Sequence, residues 1–102
     1  MSMSTEQVML YTGGRRFVVD DDVVFAELND EAILLNVTTG IYYGLNALGT
    51  EIWGLLAEGV GEDEINLRLF EEYDVTPAQL AADVNEFLSF LMARDLVRLA
   101  KN

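Results

Sequence analysis

Apolar and polar residues alternate with a period of two from Val23 to Leu28, which predicts a strand. Val24, Ala26 and Leu28 share one face of it, and Val23, Phe25 and Glu27 the other. Asn29-Asp30 follows as a two-residue turn, since both residue types tolerate positive φ. A second strand is expected over Ala32 to Val37, with Ile33, Leu35 and Val37 turned to the core. Thr38-Thr39-Gly40 supplies the next turn, with glycine at the left-handed position. Ile41 to Leu45 then reads as a third strand. Connections this short make the three strands an antiparallel meander.

Beyond Leu45 the period becomes helical. Asn46 is a good N-cap for a helix from about Ala47 to Glu58, with Leu48, Ile52, Leu55 and Leu56 on its apolar stripe and Trp53 alongside. Gly59 stops it. A second helix begins near Glu62, where Glu62, Asp63 and Glu64 suit the positive end of the helix dipole. Its buried stripe is expected to be Ile65, Leu69 and Phe70, with Tyr73 at the end. In Thr76-Pro77-Ala78-Gln79, Thr76 caps, Pro77 takes the first helical position and Gln79 is placed to reach back as a capping-box partner. This third helix runs to about Arg94, with Leu80, Val84, Phe87, Leu88 and Leu91 at helical spacing.

Asp95 takes the turn position after that helix. Arg15 to Val19 and Leu96 to Leu99 are candidates for short extended pieces. Met1 to Gly14 carries no period, apart from a candidate extended piece at Val8 to Tyr11. The division expected is therefore a flexible segment, 1–14, and one folded domain, 15–102. Its fold class is α+β and winged-helix-like, a three-stranded antiparallel sheet followed by three helices in one core.

Composition removes most chemistry. With 102 residues, 51% of them hydrophobic, the chain suffices for one small core. It has no Cys and no His, which excludes disulfides, thiolate metal sites and histidine-based hydrolytic or zinc chemistry. Asp20-Asp21-Asp22 is followed by no calcium-loop spacing. No metal or other cofactor is expected. The first residues lack the basic and apolar regions of a secretion signal, and no apolar run is long enough for a membrane span. A cytoplasmic location is expected, and the Asn36-Val37-Thr38 sequon reads as coincidence.

A net charge of −12 sets the chain against nucleic acid and anionic membranes. A winged-helix domain that reads DNA would use the third helix, yet that helix carries Asp83 and Glu86, with Arg94 as its only base.

What remains points to binding. A short aromatic strand at a sheet edge is a place where a peptide can add as one more strand. Tyr42 and Tyr43, being adjacent, point to opposite faces, so one packs inward and the other is free to meet a ligand. Phe87 and Phe90 lie about 60° apart round their helix and widen its apolar face beyond one core contact. Asp83, within a turn of Phe87, is a candidate acceptor for a basic residue of a bound peptide.

The ordered run Leu34-Leu35, Gly40, Tyr42-Tyr43, Leu45-Asn46, Gly49-Thr50, Ile52-Trp53, then Asp83-Val84 with Phe87-Leu88-Leu91, resembles the PqqD-like family. These are precursor-peptide recognition elements of ribosomally made, modified peptides (RiPPs). The match covers about Val23 to Leu99. It departs at Asp95, where the family usually has Gly, and at Asn29-Asp30, which lacks the usual Gly. The resemblance implies a non-catalytic peptide chaperone. Such a domain binds the leader region of a precursor peptide and presents it to a modifying enzyme, whether protease, cyclase or radical enzyme. It further implies that the leader adds as an antiparallel strand to the third strand. The contacts would be Ile41, Tyr42, Tyr43, Gly44 and Leu45 on one side and Leu80, Asp83, Val84, Phe87 and Phe90 on the other. The alternatives are a generic protein-interaction adaptor using the same edge, and a winged-helix nucleic-acid binder.

Overall fold

A computed structural model describes residues 14–29 and 31–100. The elements, in chain order, are β1 (Phe17–Val19), β2 (Val23–Leu28), β3 (Glu31–Asn36), β4 (Tyr42–Leu45), α1 (Ala47–Ala57), α2 (Glu62–Phe70), α3 (Pro77–Ala93) and β5 (Val97–Leu99). The antiparallel sheet β2-β3-β4 followed by three helices is the architecture expected from the sequence. The two candidate extended pieces pair with each other: β1 and β5 form a second, two-stranded antiparallel sheet, with Phe17 opposite Leu99. The candidate extended piece at Val8 to Tyr11 lies outside the described residues, as does Asp30.

Local chemistry accounts for the turns. Asn29 has φ 51°. Asn36 Oδ1 accepts from the N–H groups of Thr38 and Thr39, and Gly40 takes φ 78°, so the β3–β4 turn is closed by a side chain and a glycine. Asn46 Oδ1 caps α1 through the Gly49 N–H at 2.7 Å. Gly59, at φ 86°, ends α1, with its own N–H on Leu56 O and that of Val60 on Leu55 O. Asp95 performs the same task after α3: at φ 59° it donates to Met92 O while Leu96 donates to Leu91 O. An aspartate thus holds the left-handed position that glycine usually takes.

Three expectations are corrected. Ala32 and Leu34, not Ile33, Leu35 and Val37, face the core from β3; Leu34 is fully buried and Val37 is 55% exposed. Apolar residues stand on both faces of this strand, so alternation alone could not choose between them. The helices pack on the side where Leu34 and its cross-strand neighbour Tyr43 stand, and that makes the choice. Phe70 is exposed, because α2 ends there and Phe70 sits about 100° past Leu69 on the helix. Gln79 does not close a capping box: Thr76 Oγ1 accepts from the Gln79 N–H, but the Gln79 side chain donates to Asp83 Oδ1. Leu80 and Val84 are buried core residues, at 2% and 0% exposure.

The core joins Leu34 of the sheet to Ile52, Trp53 and Leu56 of α1, Ile65 and Leu69 of α2, and Leu80, Val84, Leu88 and Leu91 of α3. Phe17 and Val97 of the small sheet close it, with Leu96 just before β5. Arg15 fastens the start of the domain to the helices, reaching both carboxylate oxygens of Glu62 at 2.7 and 2.8 Å and Asn85 Oδ1 at 2.8 Å. That bond holds the Glu62 carboxyl below the usual carboxylate range.

Candidate functional site

β4 is an edge strand, paired on one side with β3 and on the other with no strand among the described residues. Its bonding pattern follows from one contact and the register. The Asn36 N–H donates to Ile41 O, which makes Asn36 and Ile41 a hydrogen-bonded pair. In an antiparallel ladder such pairs recur at every second position. Leu34–Tyr43 and Ala32–Leu45 are therefore the pairs in which β4 bonds to β3. The N–H and C=O groups of Tyr42 and Gly44 are directed to the open edge. Val37 donating to Asp22 O fixes the opposite phase for β2, so each β3 residue serves one neighbour only.

Side chains sort in the same alternation. Tyr43 turns toward α3 and meets Phe90 edge to face, with ring centroids 5.9 Å apart. Tyr42 turns the other way and is 68% exposed. Phe87 and Phe90 lie with near-parallel rings 6.2 Å apart, and Arg94 caps Phe90, its guanidinium carbon 3.7 Å from the ring centre. Both phenylalanines are half-buried: their inner faces touch the core and their outer faces do not.

Between the start of α1 and this face of α3 runs a cleft of about 460 Å³, lined by Asn46, Leu48, Gly49, Ile52, Asp83, Glu86, Phe87 and Phe90. It continues along the strand past Gly44 and Leu45. Gly49 is small for a visible reason. A Cβ there would stand 3.2 Å from both Asn46 Oδ1 and the Phe87 ring, so its absence lets Phe87 lie against α1.

Of the residues singled out in the sequence, Tyr43, Gly44, Leu45, Asp83, Phe87 and Phe90 are brought to this cleft or its strand edge. Tyr42 contributes backbone to the edge, and Ile41, 51% exposed, precedes it. Leu80 and Val84 are not brought there. They support α3 from beneath, and Leu80 borders a separate apolar hollow between α2 and α3. Sequence reasoning missed Asn46, Leu48, Gly49 and Ile52 as lining residues. Their immediate continuation from the aromatic strand was the available signal.

The profile of the family described as "Coenzyme PQQ synthesis protein D (PqqD)" matches residues 31–97. This chain belongs to the PqqD family. The matched region runs from β3 into β5 and so contains both walls of the cleft. Two solved structures extend the comparison of this PqqD-family chain. TbiB1, in complex with the TbiA(beta) leader peptide, is 37% identical to it, with a TM-score of 0.74 over 82% of this chain and 98% of the other. A lasso peptide synthetase B1 complexed with the leader peptide shares the fold at 20% identity, with a TM-score of 0.76 over 81% and 98% of the two chains. Among curated proteins there is no match. Within the described residues of this PqqD-family member, no three metal-capable side chains come together, and no helix is long and apolar enough to cross a membrane.

Proposed function

We propose that this protein is a non-catalytic, cytoplasmic chaperone of RiPP biosynthesis. It binds the leader region of a ribosomally made precursor peptide by strand addition to β4 and presents the precursor to a modifying enzyme. The observation that carries this is the open edge of β4, where the backbone groups of Tyr42 and Gly44 have no strand partner among the described residues, beside a half-buried aromatic helix face. Family membership and the leader-peptide complexes of the two similar proteins support it.

Each edge hydrogen bond contributes about 0.5–1.5 kcal/mol net and is blind to sequence. Ordering a flexible leader costs on the order of 2–5 kcal/mol. Apolar anchors must offset that cost and supply selectivity. Phe87, Phe90, Leu48 and the inward face of Tyr43 are the surfaces for them. The contact set is thus Ile41 to Leu45 along the strand, with Asp83, Phe87 and Phe90 opposite. Leu80 and Val84 act only through the position of α3.

The test is calorimetric titration with the leader peptide encoded beside this gene. Wild type should bind it, and Phe90→Ala should bind at least tenfold more weakly while remaining folded. Unchanged binding by folded Phe90→Ala would remove the cleft from the proposal.

A further inference from the structure

The cleft is electrically polarised along its length. Asp83 and Glu86 line the cleft together with Leu48 and Ile52 of α1 and with Asn46, which directly follows the C-terminal end of β4. Phe90 stands beside Tyr43, and Arg94 lies one turn beyond it, over the Phe90 ring. α3 therefore runs opposite to β4, with its acidic residues where β4 ends and its arginine toward where β4 begins. Among the described residues Asp83 accepts only from the neutral Gln79 amide, and neither Asp83 nor Glu86 has an ion-pair partner. Arg94 is held by a ring and by Phe90 O, with no carboxylate partner among the described residues.

A strand added antiparallel to β4 enters this field in one direction. Its N-terminal part lies beside Leu45 and Asn46, its C-terminal part beside Tyr42 and Ile41. Directly opposite residues project to the same face of a sheet. The peptide residues opposite Leu45 and Tyr43 thus point at Phe87 and Phe90. The next groove-facing residue on the N-terminal side reaches the Asp83–Glu86 end, and the next on the C-terminal side reaches Arg94.

We infer that the cleft selects peptides with a Lys or Arg on the N-terminal side of two alternating apolar anchors, and a neutral or acidic residue on the C-terminal side. This rests on the reading of β4 as an antiparallel acceptor strand. The acidic end attracts the cation and the arginine end rejects it, so the charges fix orientation and register, which strand hydrogen bonds cannot do.

The experiment is selection of random peptides displayed on phage against the full chain. The best peptide is then synthesised with its charges as selected and with them exchanged end for end. Enrichment of Lys or Arg ahead of an apolar-x-apolar pair is expected. The exchanged peptide should bind roughly three- to tenfold more weakly at low salt, with the gap closing as salt rises. Asp83→Asn with Glu86→Gln should erase the preference in a protein that still binds the apolar pair. Peptides that need Phe90 but show no charge order, or the reverse order, overturn the inference and leave the cleft intact as a peptide site. Selected peptides indifferent to Phe90→Ala overturn both readings.

Discussion

At Tyr42 and Tyr43, neighbouring residues of the same type carry different duties. Tyr42 has its backbone groups on the open edge, and Tyr43 has its own in the ladder to Leu34. Proline removes a donor, so its effect should depend on which is replaced. Tyr42→Pro should fold and lose leader binding. Tyr43→Pro should break the β3–β4 ladder and lower the melting temperature. Thermal melts paired with leader titrations of the two variants check this, and a stable, fully binding Tyr42→Pro would refute strand addition. Phe87 and Phe90 divide in a similar way. Phe87 lies against Gly49 and the α1 backbone, whereas Phe90 touches Tyr43 and Arg94. Phe87→Ala should cost about 3 kcal/mol of stability as well as binding. Phe90→Ala should cost binding first, and urea unfolding of both variants would expose any reversal of that order.

Single elements are held by their ends. Thr76 Oγ1 accepts from the Gln79 N–H at 3.1 Å and Pro77 presets the first turn of α3, the helix that forms one wall of the cleft. Thr76→Ala should destabilise the domain by about 1 kcal/mol in denaturant unfolding. The first turn of α2 is held differently, by Arg15 on Glu62. Because that hydrogen bond depresses the Glu62 carboxyl, the stabilisation is present above the carboxyl's unfolded-state value. It is lost as pH falls through the lower folded value. Glu62→Gln should therefore be less stable than wild type at neutral pH, and the difference should shrink on acidification below the normal carboxylate range. Melting curves from neutral to acid pH measure this; a gap that widens toward acid would contradict it. The partial exposure of Arg15 keeps the effect modest.

For the molecule as a whole, charge excludes what the fold would permit. A winged-helix-like arrangement offers α3 as a helix to place in a groove of DNA, but that helix carries Asp83 and Glu86 in a chain of net charge −12. No association with DNA or RNA is expected at physiological salt, and a gel-shift or anisotropy titration showing micromolar, salt-sensitive binding would contradict the proposed function. The same charge favours a ligand with basic residues.

Residue identity by itself determined where the three helices begin, where α1 and α3 end, and the order of the elements. Caps, turn glycines and a proline act within a few residues, so Asn46, Gly59, Thr76 and Pro77 carry their meaning in place. The absence of Cys and His was equally local knowledge. Which face of β3 is buried was not local, since both faces carry apolar side chains and only the helices packed on the side of Leu34 and Tyr43 select Leu34. Nor was the separation of α3 into core and cleft positions. Leu80, Val84, Phe87 and Phe90 look alike in sequence, but Leu80 and Val84 are enclosed by the core while Phe87 and Phe90 face β4 and the bare backbone of Gly49. Burial depends on what packs from other parts of the chain, and that is decided only when the strands and helices meet.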